Sequence, residues 1–257
     1  MPSTPSRPSA AAATATAAKT AGLRLTGISS MATRTVLNAL AVAYPPADVL
    51  LAIESVGGVD AARRVQAGEA FDLVVLAADA IDRLIASGQV VADSRVDLVH
   101  SGVAVAVRRG TPPPALDSED AVRQAVLAAP SIGFSTGPSG VQLQKLFDRW
   151  GITSQLQGRL VQAPPGEPVG GLVARGAVAL GFQQLSELLG VDGIDVLGPL
   201  PPAIQINTTF SAGLCTASTQ AAAVRQLMDF LSSPAAAPVY QRHGMTGASP
   251  PDPRRPR

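Results

Sequence analysis

Within its first third this chain runs three times from a short apolar strand pattern into a helical pattern, and that repeat constrains its fold more than any other feature. LRLTG (23–27) leads into a helical stretch over 31–44, which Pro45-Pro46 ends. VLLAIESV (49–56) leads through Gly57-Gly58 into DAARRVQAG, closed by Gly68. FDLVVLAA (71–78) is an unbroken apolar run after Asp72, the pattern of a strand buried on both faces, and Asp79 is placed to cap the helix AIDRLIASG. Consecutive strand–helix units of this kind predict an α/β fold around a mainly parallel sheet.

The same alternation returns later. SIGFS (131–135) runs through TGPSG into a helix whose apolar face is Leu143, Leu146, Phe147 and Trp150, at i, i+3, i+4 and i+7. Strands are expected at 156–162, 177–182 and 194–198, and helices at 119–129 (capped by Asp117 or Ser118), 169–175, 183–189, 218–232 and 234–243. Two long extended stretches, 95–109 and 204–216, bracket this second set of units. A chain that leaves one lobe, builds another and returns crosses a hinge at two such places. The expected organisation is therefore lobe 1 over 23–104 plus 210–246 and lobe 2 over 105–209, joined by a two-strand hinge with a cleft between them.

Composition narrows the function. Twenty basic residues against nineteen acidic ones leave a net charge of +1, which argues against a nucleic-acid groove or a polybasic membrane patch. Any anion must be recognised by local dipoles and a few side chains. No stretch approaches the roughly 20 apolar residues of a membrane span. Residues 1–22 are Ala, Thr, Ser and Pro-rich, without the Leu, Val or Phe of an export signal after Arg7. They read as a disordered tail, as does the Pro/Arg-rich stretch 247–257. A cytoplasmic location follows, or a periplasmic one if the N-terminus is a degenerate or wrongly started signal. The expected state is a monomer.

Common enzymatic motifs are missing. GPSGV lacks the final glycine of a nucleophile elbow, and there is neither a phosphate loop nor a dinucleotide fingerprint. His100 and His243 have no carboxylate at motif spacing, and Cys215 sits alone in an apolar run. No metal and no cofactor is expected. Ligands in open α/β sheets bind beyond the carboxyl ends of strands, where helix N-termini favour anions. That rule selects Ser29 and Ser30 after the first strand, Gly57 and Gly58 after the second, and Ser135–Gly140 and Gln183-Gln184 in the second lobe. Ser29, Ser30 and Ser139 also suit helix caps, and one hydroxyl can serve both roles. Arg63 lies near the second junction. Glu54 and Asp79, each at a strand-to-helix junction, are candidate proton carriers, with turn and capping roles as the alternative.

At these junctions the chain resembles the molybdate-binding-protein branch of the periplasmic solute-binding proteins of type 2 fold. The matching stretches are GISSMA, GGVDAARRVQAGEAFDLVVLAADAIDRLIASG, GPSGVQLQKLFDRWG, ALGFQQLSELL and FLSSPAAAPVYQRHG, spread over about 23–246. The resemblance implies two α/β lobes closing on an anion, with contacts at Ser30 (or Ser29), Ser139 and the backbone of Val169. Two positions depart from that pattern: Gly57-Gly58 replaces a serine-rich turn, and Gln184 stands where molybdate binders place a tyrosine. An amide offers both a donor and an acceptor, which suits an organic acid better than a tetrahedral oxyanion. The expected function is binding of a small organic polycarboxylate, with an ABC-transporter permease as partner if the chain is exported. Aconitate isomerase is similar to the same branch, so a cofactor-independent isomerase of a small polycarboxylate is the alternative.

Overall fold

A computed structural model describes residues 22–164 and 166–248. The tails expected to be disordered fall outside these residues, except for Gly22 at one end and Gly247 and Ala248 at the other. The first lobe opens with β1 (Leu23–Ser30), α1 (Arg34–Ala43), β2 (Val49–Val56), α2 (Gly58–Gln66), β3 (Leu73–Ala77) and α3 (Ala78–Ala86). The long β4 (Val96–Arg108) then leads into α4 (Glu119–Ala128), β5 (Ile132–Phe134), α5 (Pro138–Arg149), β6 (Leu160–Gln162), α6 (Val169–Ala174), β7 (Leu180–Gln184), α7 (Leu185–Leu188) and β8 (Ile194–Pro199). Finally β9 (Asn207–Leu214) returns to the first lobe, followed by α8 (Ala221–Leu231), α9 (Ala237–Arg242) and β10 (Met245–Gly247).

The strand order is β2-β1-β3-β9-β4-β7-β5-β6, with β10 and β8 also paired to β4. Three parallel strands form the outer end of the order in each lobe: β2, β1 and β3 in the first, β6, β5 and β7 in the second. The crossing strands β4 and β9 run antiparallel to each other. β4 pairs with β9 over Val96–Gly102 and with β7 over Val103–Ala106, so one strand belongs to both sheets and changes partner between Gly102 and Val103.

Apolar burial follows the same division. Two clusters draw on residues 25–99 and 210–245, and two on residues 103–206. All five residues of β3 are buried, as its unbroken apolar run requires. Asp72, just before it, accepts hydrogen bonds from the Thr26 N–H (2.8 Å), the Thr26 hydroxyl (2.9 Å) and the Ser218 hydroxyl (2.6 Å). Burial opposes ionisation of Asp72, but these three bonds hold its carboxyl below the usual range. One carboxylate thereby ties β1, β3 and the loop before α8 together.

Several element boundaries differ from the sequence expectation. The helix expected at 183–189 starts only at Leu185, because Gln183 and Gln184 continue β7 opposite Ala104 and Val103. The strand at 156–162 shrinks to Leu160–Gln162, behind a 3-10 turn over Thr153–Leu156. Asp79 does not cap α3. Ala77 holds that position and Asp79 lies in the first turn. The chain also continues in order past 246: Gly247 pairs with Val99, and the Ala248 N–H donates to the Leu98 carbonyl at 2.9 Å.

In α5, Leu143, Leu146 and Phe147 are buried, as the helical spacing predicts. Phe147 packs edge-on to Phe182 of β7 at 6.4 Å and beside Trp150 at 6.0 Å. Phe147→Ala should therefore destabilise the protein by about 3–5 kcal/mol, a large share of the ~5–15 kcal/mol of a typical domain. Urea unfolding followed by circular dichroism measures this. A midpoint within error of the wild type would show that Phe147 does not anchor the second core.

Candidate functional site

A cavity of about 410 Å³ opens between the lobes, within the size range of small-molecule sites. Its first-lobe wall is built from the ends of β1 and β3 and from the starts of α2 and α3. Ser30 ends β1 in extended conformation, and its hydroxyl accepts a hydrogen bond from the Ala32 N–H at 3.3 Å, so it caps the 3-10 turn and lines the cavity at once. Gly57 is the N-cap of α2, and a Cβ on Gly58 would stand 3.5 Å from Ser30 Oγ. These glycines leave open the space that a side chain would fill.

Two arginines border this wall, Arg63 from α2 and Arg83 from α3. Among the described residues each pairs only with an acid on its own helix, Asp60 at 3.0 Å and Asp79 at 2.9 Å, both at the surface. Exposed pairs of this kind are worth about 0–1 kcal/mol, so either arginine can turn to an anionic ligand at little cost.

The second-lobe wall is the turn from β5 into α5, the loop before α6, and the end of β7. Gly137 is the N-cap of α5, Pro138 is its first residue, and Ser139 follows, buried and 3.1 Å from Ser135 across their hydroxyls. Gly140 is required here. A Cβ would fall 1.9 Å from the Ser135 carbonyl oxygen, so only glycine lets the turn close against the helix. Ser135, Thr136 and Ser139 all reach the cavity.

Three polar side chains from the end of β7 and from α7 face the same space. Gln184 is 3% exposed, and its amide donates to Thr208 Oγ1 of β9 at 2.7 Å. Its Oε1 is buried without a hydrogen-bond partner among the described residues. Gln183 Oε1 accepts from the Gly170 N–H at 3.2 Å, which orients its amide so that Nε2 donates to Glu187 Oε1 at 2.9 Å. Burial pushes the Glu187 carboxyl up to about 7, against the opposing pull of the Gln183 bond.

The structure gathers most of the expected site residues and moves three of them out. Ser30, Gly57, Gly58, Ser139 and Gln184 line one cavity. Ser29 does not: it is fully buried and its hydroxyl pairs with Ser55 at 2.8 Å, because successive strand residues face opposite ways. Val169 opens α6 with its side chain buried in the second-lobe core against Gly133 and Gly181, so any contact it makes is through its backbone, and Pro168 before it borders the cavity. Neither suggested proton carrier reaches the cavity. Glu54 lies on the exposed outer side of β2, where two bonds from Arg64 (2.7 and 3.0 Å) hold its carboxyl below the usual range. Asp79 is spent on Arg83 at the surface. His100 pairs with Thr209 at 2.9 Å, His243 with the Val239 carbonyl at 2.9 Å, and burial raises the Cys215 thiol to about 12. Among the described residues no group of three metal-ligating side chains forms, and no helix is long and apolar enough to cross a membrane.

Glu187 is the residue that sequence reasoning missed. Its one signal is a single acid within the Leu-rich helical turn LSELL, three residues after Gln184. Its raised affinity for a proton links to stability. The folded protein holds the proton more tightly than the unfolded chain, whose group titrates near 4.5. The group's stabilising contribution is full below about 4.5 and is lost as pH rises through about 7. Glu187→Gln, neutral at every pH, should flatten that fall in denaturation curves taken between those pH values. An unchanged slope would show that Glu187 is not the group responsible.

Known proteins share this sequence and this fold. The model of the bacterial extracellular solute-binding protein family matches residues 25–246. An aconitate isomerase from Pseudomonas sp. is 41% identical over 183 residues, covering 71% of this chain and 70% of that protein. The periplasmic molybdate-binding protein of Azotobacter vinelandii superposes with a TM-score of 0.73 at 19% identity, over 88% of this chain and all of that one. The sulfate-binding protein SubI of Mycobacterium tuberculosis H37Rv does so with 0.72 at 17% identity, over 90% of this chain and 88% of that one. Two lobes, a β4–β9 crossing and a cleft lined by strand-to-helix junctions are shared fold, and the sequence match spans nearly all of the described chain: it belongs to the bacterial extracellular solute-binding protein family.

Proposed function

We propose that this protein binds a small unsaturated polycarboxylate of the aconitate type in the cleft and interconverts its double-bond isomers. The observation that carries the reading is the pair of arginines, Arg63 and Arg83, bordering one wall of a cavity whose other wall includes Ser135, Thr136 and Ser139. Two separated cations and a neutral donor cradle suit a ligand with several carboxylates better than one compact oxyanion. The 41% identity to an aconitate isomerase supports the same substrate class. Gln184 adds an acceptor, which a fully ionised tetrahedral oxyanion cannot use and a protonated carboxyl group can.

The family also contains carriers, and a carrier would bind without turnover and hand its ligand to a permease. One experiment separates the two. Purified protein is mixed with trans-aconitate, and cis-aconitate is followed by proton NMR. Appearance of the cis isomer supports the enzyme. Stabilisation by the ligand without conversion would place this chain among the carriers. Neither effect would mean that the cleft takes a different anion.

The serines can be tested separately from turnover. Hydrogen bonds to a charged group contribute about 1.5–3 kcal/mol, so Ser30→Ala and Ser139→Ala should each weaken trans-aconitate binding by roughly 10-fold to 150-fold. Calorimetry on each variant gives the affinity, and thermal unfolding gives the stability. Lost stability with unchanged affinity would show that the hydroxyls only hold the turns.

A further inference from the structure

We propose that Glu187 carries the proton in the allylic shift, taking it from one carbon of the bound polycarboxylate and delivering one to the other, and that Gln183 is its positioning residue. This rests on the isomerase reading above. The geometry singles Glu187 out. Glu167, the other carboxylate on the cavity wall, is paired with Arg175. Among the described residues Glu187 has no cationic partner. One of its oxygens accepts a hydrogen bond from Gln183 Nε2 at 2.9 Å, and among the described residues its second oxygen takes none. The orientation of the Gln183 amide is not free to change, because the Gly170 N–H holds its Oε1. One oxygen of Glu187 is thus fixed from behind and the other is left for the cavity.

The chemistry balances on this one group. The Glu187 carboxylate removes a proton from the methylene carbon, and the electron pair of that C–H bond becomes the new double bond. The old π pair moves to the far allylic carbon, which takes a proton from the Glu187 carboxyl. One C–H bond breaks and one forms, and no co-reactant is consumed. Guanidiniums beside the substrate carboxylates stabilise the charge that spreads onto them between the two transfers.

A base that titrates near 7 is well matched to this work, since it is both ionised enough to accept a proton and acidic enough to return it. The charged groups sharing the cavity are Arg63 of α2, Arg83 of α3 and Glu167 before α6, and each is paired elsewhere, with Asp60, Asp79 and Arg175. The wild-type kcat/KM should therefore rise through about pH 7 and level off above it. Gln183→Leu removes a bond that favours the ionised carboxyl, so the rise should move to higher pH while conversion persists.

The test compares wild type, Glu187→Gln and Gln183→Leu with trans-aconitate, measuring conversion by NMR and affinity by calorimetry. General acid–base groups typically contribute about 10²–10⁴-fold, so Glu187→Gln should lose at least about 100-fold in kcat while still binding the ligand. With the wild type active, a Glu187→Gln variant that converts at the wild-type rate overturns the role of Glu187 and leaves the isomerase reading standing. A wild type that binds without converting overturns the isomerase reading first. If Glu187→Gln fails to fold, the wild-type pH profile decides instead: a kcat/KM flat from pH 5 to 9 overturns the proposal.

Discussion

The structure depends on one strand serving two sheets. β4 is thirteen residues long, and its first half is bonded to β9 and β10 while its second half is bonded to β7 and β8. The two halves of the protein have separate apolar cores, and this strand with its partner β9 runs from one to the other. The cavity opens at the seam. Val103, the first residue of β4 to pair with β7, lies opposite Gln184, and Ser101, two residues earlier, lies opposite Thr208. The Gln184–Thr208 hydrogen bond therefore spans the point where the strand changes sheets. A second bond, from the Ser186 hydroxyl to the Ala32 carbonyl at 2.8 Å, ties α7 to the turn that follows Ser30. The walls of the site are held at the same place that joins the lobes.

The charge pattern of the cleft differs from wall to wall. The first lobe presents arginines at the surface, and the second presents hydroxyls, amides and one carboxyl that titrates near 7. The net charge of the chain is only +1, so attraction for an anion comes from this local arrangement rather than from the field of the whole molecule. The burial that raises the Glu187 pKa also costs stability once the group ionises. A buried carboxyl at such a cost to stability, beside the cleft, is consistent with the proton-transfer role proposed for it.

The fold was largely legible in the sequence because its signals are local. Alternating strand and helix patterns, the run FDLVVLAA and the two long extended stretches all act within a few residues of where they are read. The site was legible in part. Ser30, Ser139, Gly57 and Gly58 follow from the rule that ligands sit where strands end and helices begin. Ser29 could not be told from Ser30, because strand residues alternate faces and only the final register decides which hydroxyl turns inward. Glu54 and Asp79 sit at the right junctions but on the solvent side, where Arg64 and Arg83 hold them. Glu187 was missed because nothing local sets its chemistry: its neighbours are Gln183, one helical turn back, and the wall of a cavity assembled from both lobes.

The most direct test of this account is a crystal structure of the Glu187→Gln variant with trans-aconitate. It should place the ligand between the lobes, with carboxylates against Arg63, Arg83 and the serine turns. One allylic carbon should lie within about 3.5 Å of the side chain at position 187, the separation of a near-attack geometry. A ligand bound outside the cleft, or bound within it with both allylic carbons turned away from position 187, would contradict the account.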